Sequence, residues 1–185
     1  MATQIYVNLA VKDLKRSVDF FTALGFSFNP DYTDENATCM IINDNAFVML
    51  LVEGFFKTFT SRDVADATSS TEAIMAFSVD SKEDVDATIR KALAAGGTPS
   101  QEVQDYGFMY NHSFQDLDGH LWEVLWMDPA GPPAADGTPA GSDRPPTCTP
   151  GLLLSRSSPL PPPTVHAVPA PRTQEPTLAP PPGPT

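Results

Sequence analysis

The feature that most constrains this chain is an apolar pattern that runs through it twice. Gln4 to Val11 alternates, with Ile5, Val7, Leu9 and Val11 on one face and Tyr6, Asn8 and Ala10 on the other, which predicts a strand. Asp13 then caps a helix whose stripe is Leu14, Val18, Phe21 and Leu24 and whose stop is Gly25. Phe26 to Asn29, Thr38 to Ile42 and Ala46 to Glu53 read as further strands, the last two joined by a turn at Asn43-Asp44-Asn45. From Ala73 the same order returns. A strand runs to Val79, a helix opened by Ser81 with Asp84 carries Val85, Ile89 and Leu93, and Gly96-Gly97 ends it. Strands follow at Thr98 to Val103, Phe108 to Gln115 and His120 to Met127. Val11 matches Val79 and Val18-Asp19 matches Val85-Asp86, 68 and 67 positions apart, and the turn at Asp44-Asn45 matches the one at Asp118-Gly119. The expected fold class is α+β, with two β-α-β-β-β modules at about residues 4–53 and 72–128. A sheet covered by a helix on one face must still bury the other, and two such sheets whose bare faces meet would enclose a cup.

The last strand shows where chemistry would sit. In Leu121-Trp122-Glu123-Val124-Leu125-Trp126-Met127, alternate residues share a face and both faces are apolar except for Glu123. A carboxylate in that setting needs a hydrogen bond, a counter-ion, a metal or a proton. The repeat sets four positions on the bare faces: Tyr6, Met49, Ile74 and Glu123. Asn8, Tyr110 and His112 lie on strands expected to border the same space, and Glu53 extends the strand face of Met49 and Leu51. The plainer reading makes Tyr110 and His112 strand residues with satisfied polar tips and Glu53 an exposed strand end. His120, beside the Asp-Gly turn, is expected to be exposed.

Composition bounds the rest. Of 20 prolines, 18 stand at or after Pro129, so residues 129–185 read as a disordered Pro/Ala-rich tail and 1–128 as the folded domain. The tail carries three basic and three acidic residues. The net charge of -12 therefore belongs to residues 1–128, where 8 basic side chains meet 20 acids. That balance argues against nucleic acid and against an anionic membrane surface. The longest apolar run, Ala46 to Val52, falls far short of the ~20 residues of a membrane-crossing helix. Cys39, in a strand, and Cys148, in the tail, offer no disulfide framework, and a reduced cytoplasmic setting is expected. Phe55, Phe56 and Phe59 are expected to cover a core edge, a pocket mouth or a subunit contact.

Two segments carry a resemblance. The run Val11-Lys12-Asp13-Leu14-Lys15-Arg16-Ser17-Val18-Asp19-Phe20-Phe21 with Leu24-Gly25-Phe26, and the run Asp116-Leu117-Asp118-Gly119-His120-Leu121-Trp122-Glu123, resemble the signature segments of the vicinal oxygen chelate superfamily. This superfamily includes glyoxalase I, bleomycin-resistance proteins, fosfomycin-resistance enzymes and extradiol dioxygenases. The resemblance implies a divalent metal held by His or Glu from the first and last strands of each module. At those places this chain has Tyr6, Met49, Ile74 and Glu123, and one carboxylate is too few donors for a catalytic cation. The expectation is a small-molecule-binding member with no cofactor, with Glu123 as the candidate catalytic group and Tyr6, Asn8, Met49, Ile74, Tyr110 and His112 as ligand contacts. The resemblance further implies a homodimer. A metal-dependent lyase or dioxygenase with relocated ligands, and a structural or partner-binding protein whose cup is filled by side chains, stay open as alternatives.

Overall fold

The computed structural model describes residues 3–132. Residues from 133 onward, including Cys148, His166 and most of the expected tail, lie outside the described residues.

Module 1 comprises β1 (Ile5–Val11), α1 (Leu14–Leu24), β2 (Ser27–Asn29), β3 (Ala37–Asn43) and β4 (Ala46–Val52). Its sheet runs β1-β4-β3-β2, with β4 parallel to β1 and antiparallel to β3. Local chemistry sets the ends of α1. The Asp13 carboxylate accepts from the Arg16 amide at 3.0 Å, a cap whose loss typically costs about 1 kcal/mol. Gly25 ends the helix at φ +110°, a left-handed conformation that a side chain would disfavour. A short helix, α2 (Glu53–Phe56), follows β4 directly. Glu53 thus opens a helix instead of extending the strand, and its side chain is exposed.

Module 2 comprises β5 (Ile74–Ser78), α3 (Lys82–Ala94), β6 (Thr98–Pro99), β7 (Gln104–Asp105), β8 (Met109–Gln115) and β9 (Leu121–Met127). The strand order is β5-β9-β8-β6, with β7 also on β8. Ser81 caps α3 by accepting from the Asp84 amide at 3.1 Å. The strand expected over Thr98 to Val103 is only two residues long. Pro99 has no N–H to pair, and the chain then turns so that the Gln101 amide donates to Ser113 Oγ at 2.9 Å.

The core lies on the helix side of both sheets. Leu9, Val11, Val48 and Leu50 of the first sheet, Phe114, Trp122 and Val124 of the second, and Phe20, Phe21, Leu24, Val85 and Ile89 of the helices form one buried cluster. Aromatic pairs join the modules across it: Phe21 with Trp122 at 5.1 Å, Phe26 with Phe77 at 5.3 Å and Phe20 with Phe114 at 6.1 Å between ring centroids. Full burial of such a ring is worth roughly 2–3 kcal/mol, so this seam is a main source of stability.

Candidate functional site

The alternation that sends Leu9 and Val11 into the core sends Tyr6 and Asn8 to the opposite face of β1. Register places their neighbours. Tyr6 pairs with Phe47 and stacks on it at 4.9 Å with 16° between the ring planes, while Asn8 pairs with Met49 and Met49 with Cys39. In module 2 the corresponding face carries Ile74, Ala76 and Ser78 of β5, all exposed, and Glu123 of β9. Glu123 is half-buried between Ala76 and Ser113 and makes neither an ion pair nor a side-chain hydrogen bond among the described residues. Tyr6 is 48 % exposed and Ile74 53 %.

The candidates therefore form two groups that one chain does not bring together. Tyr6, Asn8 and Met49 share one face of the first sheet, and Ile74 and Glu123 share one face of the second. Tyr110 and His112 are corrections. In β8 they pair with Trp126 and Val124 and share the core side with Phe114, because Ser113 is the residue opposite Glu123. Tyr110 donates from its hydroxyl to Asp86 of α3 at 3.0 Å, and burial, followed by this hydrogen bond and the Asp86 charge, raises its pKa. Lys82 Nζ stands 5.3 Å from the Tyr110 ring centroid and 5.4 Å from that of Trp126. His112 Nδ1 is buried with no hydrogen-bond partner among the described residues. The residues missed were Asn111 and Ser113, buried on the Glu123 side of β8. Their signal was present: Phe114 marks the core parity of that strand, and the odd-numbered residues belong to the other face.

His120 is the second correction, since it is buried at 5 % exposure. Its Nε2 stands 2.8 Å from the Ala10 carbonyl and its Nδ1 2.5 Å from Glu72 Oε1. The Ala10 carbonyl can only accept, so Nε2 donates to it, and Nδ1 shares the hydrogen bond with Glu72. Burial works to lower its pKa, but the Asp116 charge and the bonds to Glu72 and Ala10 outweigh this and raise it. Asp116 accepts from the Asp118 and His120 amides and from Trp122 Nε1, each at 3.0 Å. Asp118 accepts from the Lys12 amide at 3.1 Å and from Ser17 Oγ at 3.2 Å, both in module 1. The segment from Asp116 to Glu123 is thus divided: Asp116, Asp118, His120 and Trp122 lock the modules together, while Glu123 faces away.

Two of the clefts among the described residues contain none of the candidate residues. One of about 520 Å³ lies between the modules against Phe26, Ile42, Ala46, Phe77 and Ser78; the other, of about 570 Å³, lies along α1 against Gly96 and Leu117. Among the described residues no three His, Cys, Asp or Glu side chains are grouped to hold a metal ion. Tyr6, Met49, Ile74 and Glu123 supply a single anionic oxygen donor group, so they do not fit a hard divalent cation. Cys39 is buried beside Met49, and burial pushes its thiol pKa up, away from nucleophilic character. No helix of the described residues is long and apolar enough to cross a membrane.

Two β-α-β-β-β modules joined through their helix sides define a recognisable class, and comparison with known proteins agrees. The family model described as Glyoxalase/Bleomycin resistance protein/Dioxygenase superfamily matches residues 3–124. A hypothetical protein from S. aureus is 31 % identical with a TM-score of 0.58, the match covering 68 % of this chain and 94 % of that one. A glyoxalase-related enzyme from Fulvimarina pelagi shares the fold at 19 % identity and a TM-score of 0.59, covering 77 % and 99 % of the two chains. A glyoxalase/bleomycin resistance protein/dioxygenase family enzyme from Burkholderia phytofirmans PsJN does so at 18 % identity and 0.57, covering 67 % and 98 %. No curated protein matches the sequence. The chain belongs to the glyoxalase/bleomycin resistance protein/dioxygenase superfamily, the vicinal oxygen chelate superfamily.

Proposed function

We propose that this chain binds a small organic molecule in a cup assembled by two copies, with Tyr6, Asn8 and Met49 from one copy and Ile74 and Glu123 from the other. The observation that carries this reading is the exposure of the two ligand-side faces while the helix sides are merged in one core. β1 and β5 end their sheets, so Ile5 at 59 %, Tyr6 at 48 % and Ile74 at 53 % exposure stand along open edges. Open apolar edges favour pairing with another chain. A homodimer brings the first face against the second, twice, by symmetry. The cup works without a metal, since the second copy adds only the same single carboxylate. That donor set also weighs against the lyase and dioxygenase readings. Glu123 serves as the polar anchor of the ligand and, if a reaction takes place, as its proton donor. The buried free thiol of Cys39 suits a reduced cytoplasmic setting.

Light scattering across a concentration series tests the assembly. The expected mass is that of a dimer, and Ile74→Asp, which puts a charge on the meeting face, should shift it to the monomer. A wild type that stays monomeric at every concentration removes the reading. Should turnover of a ligand be found, Glu123→Gln is expected to lower its rate by roughly 10² to 10⁴.

A further inference from the structure

Resting on the two-copy cup, the side chains of its walls select a class of ligand. On the ligand-side faces of β1, β3, β4, β5, β8 and β9, Glu123 is the sole charged side chain, by the alternation and register of those strands. Its neighbours across the ladder are Ala76 and Ser113, and the buried Asn111 lies farther along the same face. A half-buried carboxylate on an uncharged surface, with no counter-ion among the described residues, is satisfied best by a cation. A metal needs several such donors and finds one. An organic cation needs only one, provided that its remaining surface is covered by apolar contacts. The opposite wall supplies these: Tyr6 lies flat on Phe47 with its outer face open to solvent, and Met49 is two residues along the same strand face from Phe47. A ring held flat by stacking offers both an aromatic platform and a cation–π surface.

We infer that the cup takes a planar aromatic cation, stacked on Tyr6 of one copy with its positive nitrogen at Glu123 of the other. The excess of acids in residues 1–128, 20 against 8 basic side chains, gives such a ligand a favourable approach field.

Three tricyclic probes of nearly equal size separate shape from charge: aminoacridine, a cation at neutral pH, acridine, which is neutral in mild alkali, and acridine carboxylate, an anion. Fluorescence titration of the full chain in mildly alkaline buffer should give the order cation, neutral, anion, with the cation at least roughly tenfold tighter than the neutral ring, the scale of one charge-assisted contact. Glu123→Gln should erase that advantage, bringing the affinity for the cation to that for acridine. Glu83→Gln, at an exposed position on α3 behind the sheet, should leave the order intact. Tyr6→Ala should weaken all three alike. A preference for the cation that survives Glu123→Gln would assign it to the diffuse acidic surface and overturn the inference. Charge-blind binding that Tyr6→Ala abolishes would overturn the inference and leave the cup standing. If no probe binds a wild type that light scattering shows to be a dimer, the inference falls and the cup stands; if the wild type is a monomer, both fall.

Discussion

The turn at Asp44-Asn45 and the turn at Asp118-Gly119 stand at the same step of the repeat, yet their surroundings are opposite. Asp44 and Asn45 are exposed, and their bonds stay within the first module: the Asn45 amide donates to Asn43 Oδ1 at 2.8 Å and its carbonyl accepts from the Ile5 amide at 2.8 Å. Around the second turn, Asp116, Asp118 and His120 are 7 %, 7 % and 5 % exposed and bonded to both modules. The two halves of a duplicated fold are therefore not equivalent in use. One turn faces water and the other is the joint, where Asp118 accepts from the Lys12 amide and Ser17 Oγ and His120 bonds the Ala10 carbonyl of the other half. The sheet faces differ in the same way: the first module offers rings and thioether, the second a carboxylate among small polar groups.

The largest expected effect that would break this contrast comes from removing a carboxylate at each turn. Asp116→Ala strands the buried Trp122 Nε1–H and two amides and removes one of the two carboxylates that raise the His120 pKa; the expected loss is about 3–5 kcal/mol in urea unfolding. Asp44→Ala, on the open turn, should stay within about 0.5 kcal/mol. Comparable losses at both sites would mean that the second turn is no joint. A smaller effect is expected at the turn tips. Gly119 has φ +95°, and a Cβ there would stand 2.8 Å from the Ala67 backbone, so Gly119→Ala should cost at least about 2 kcal/mol, against less than about 0.5 kcal/mol for Asn45→Ala.

The smallest effect is the dependence on pH. His120 has a pKa raised in the folded chain, so the stability it contributes is complete below its unfolded value, ~6.5, and is lost as pH rises through the folded value. Burial raises Asp116 as well, against the pull of His120 and its hydrogen-bond donors; a raised carboxylate also favours the fold on the acid side, in a lower range. Melting temperature should therefore decline from neutral toward mildly alkaline pH, and His120→Gln should flatten that decline. An unchanged slope in the variant would show that the His120 pKa is not raised in the fold.

Much of this fold was legible because its signals are local. Asp13, Gly25 and Ser81 act within a few residues of where they stand, and alternation in β1, β5 and β9 assigns faces without reference to anything else. Tyr110 and His112 were misassigned because their polar tips outweighed the parity that Phe114 sets for the strand, which puts all three on the core side. His120 was misread because its partners, Glu72 and Ala10, lie 48 and 110 residues earlier. Ending β4 at Val52 was equally out of reach, since nothing in Val52-Glu53-Gly54 distinguishes a strand end from a helix start. At the site, Tyr6, Met49, Ile74 and Glu123 followed from the repeat, whereas the failure of one chain to bring them together follows from how the two helices pack.

The tight approach of Gly119 to Ala67 also bears on whether the chain can be divided. The stretch between the modules is more than a tether, for Ala67 is itself buried where it crosses the second turn. Severing the chain there would not return two self-sufficient halves, because each would keep one wall of the Phe20–Phe114 and Phe21–Trp122 seam and expose the rest. The two repeated units share one core, and neither half is expected to fold when expressed alone.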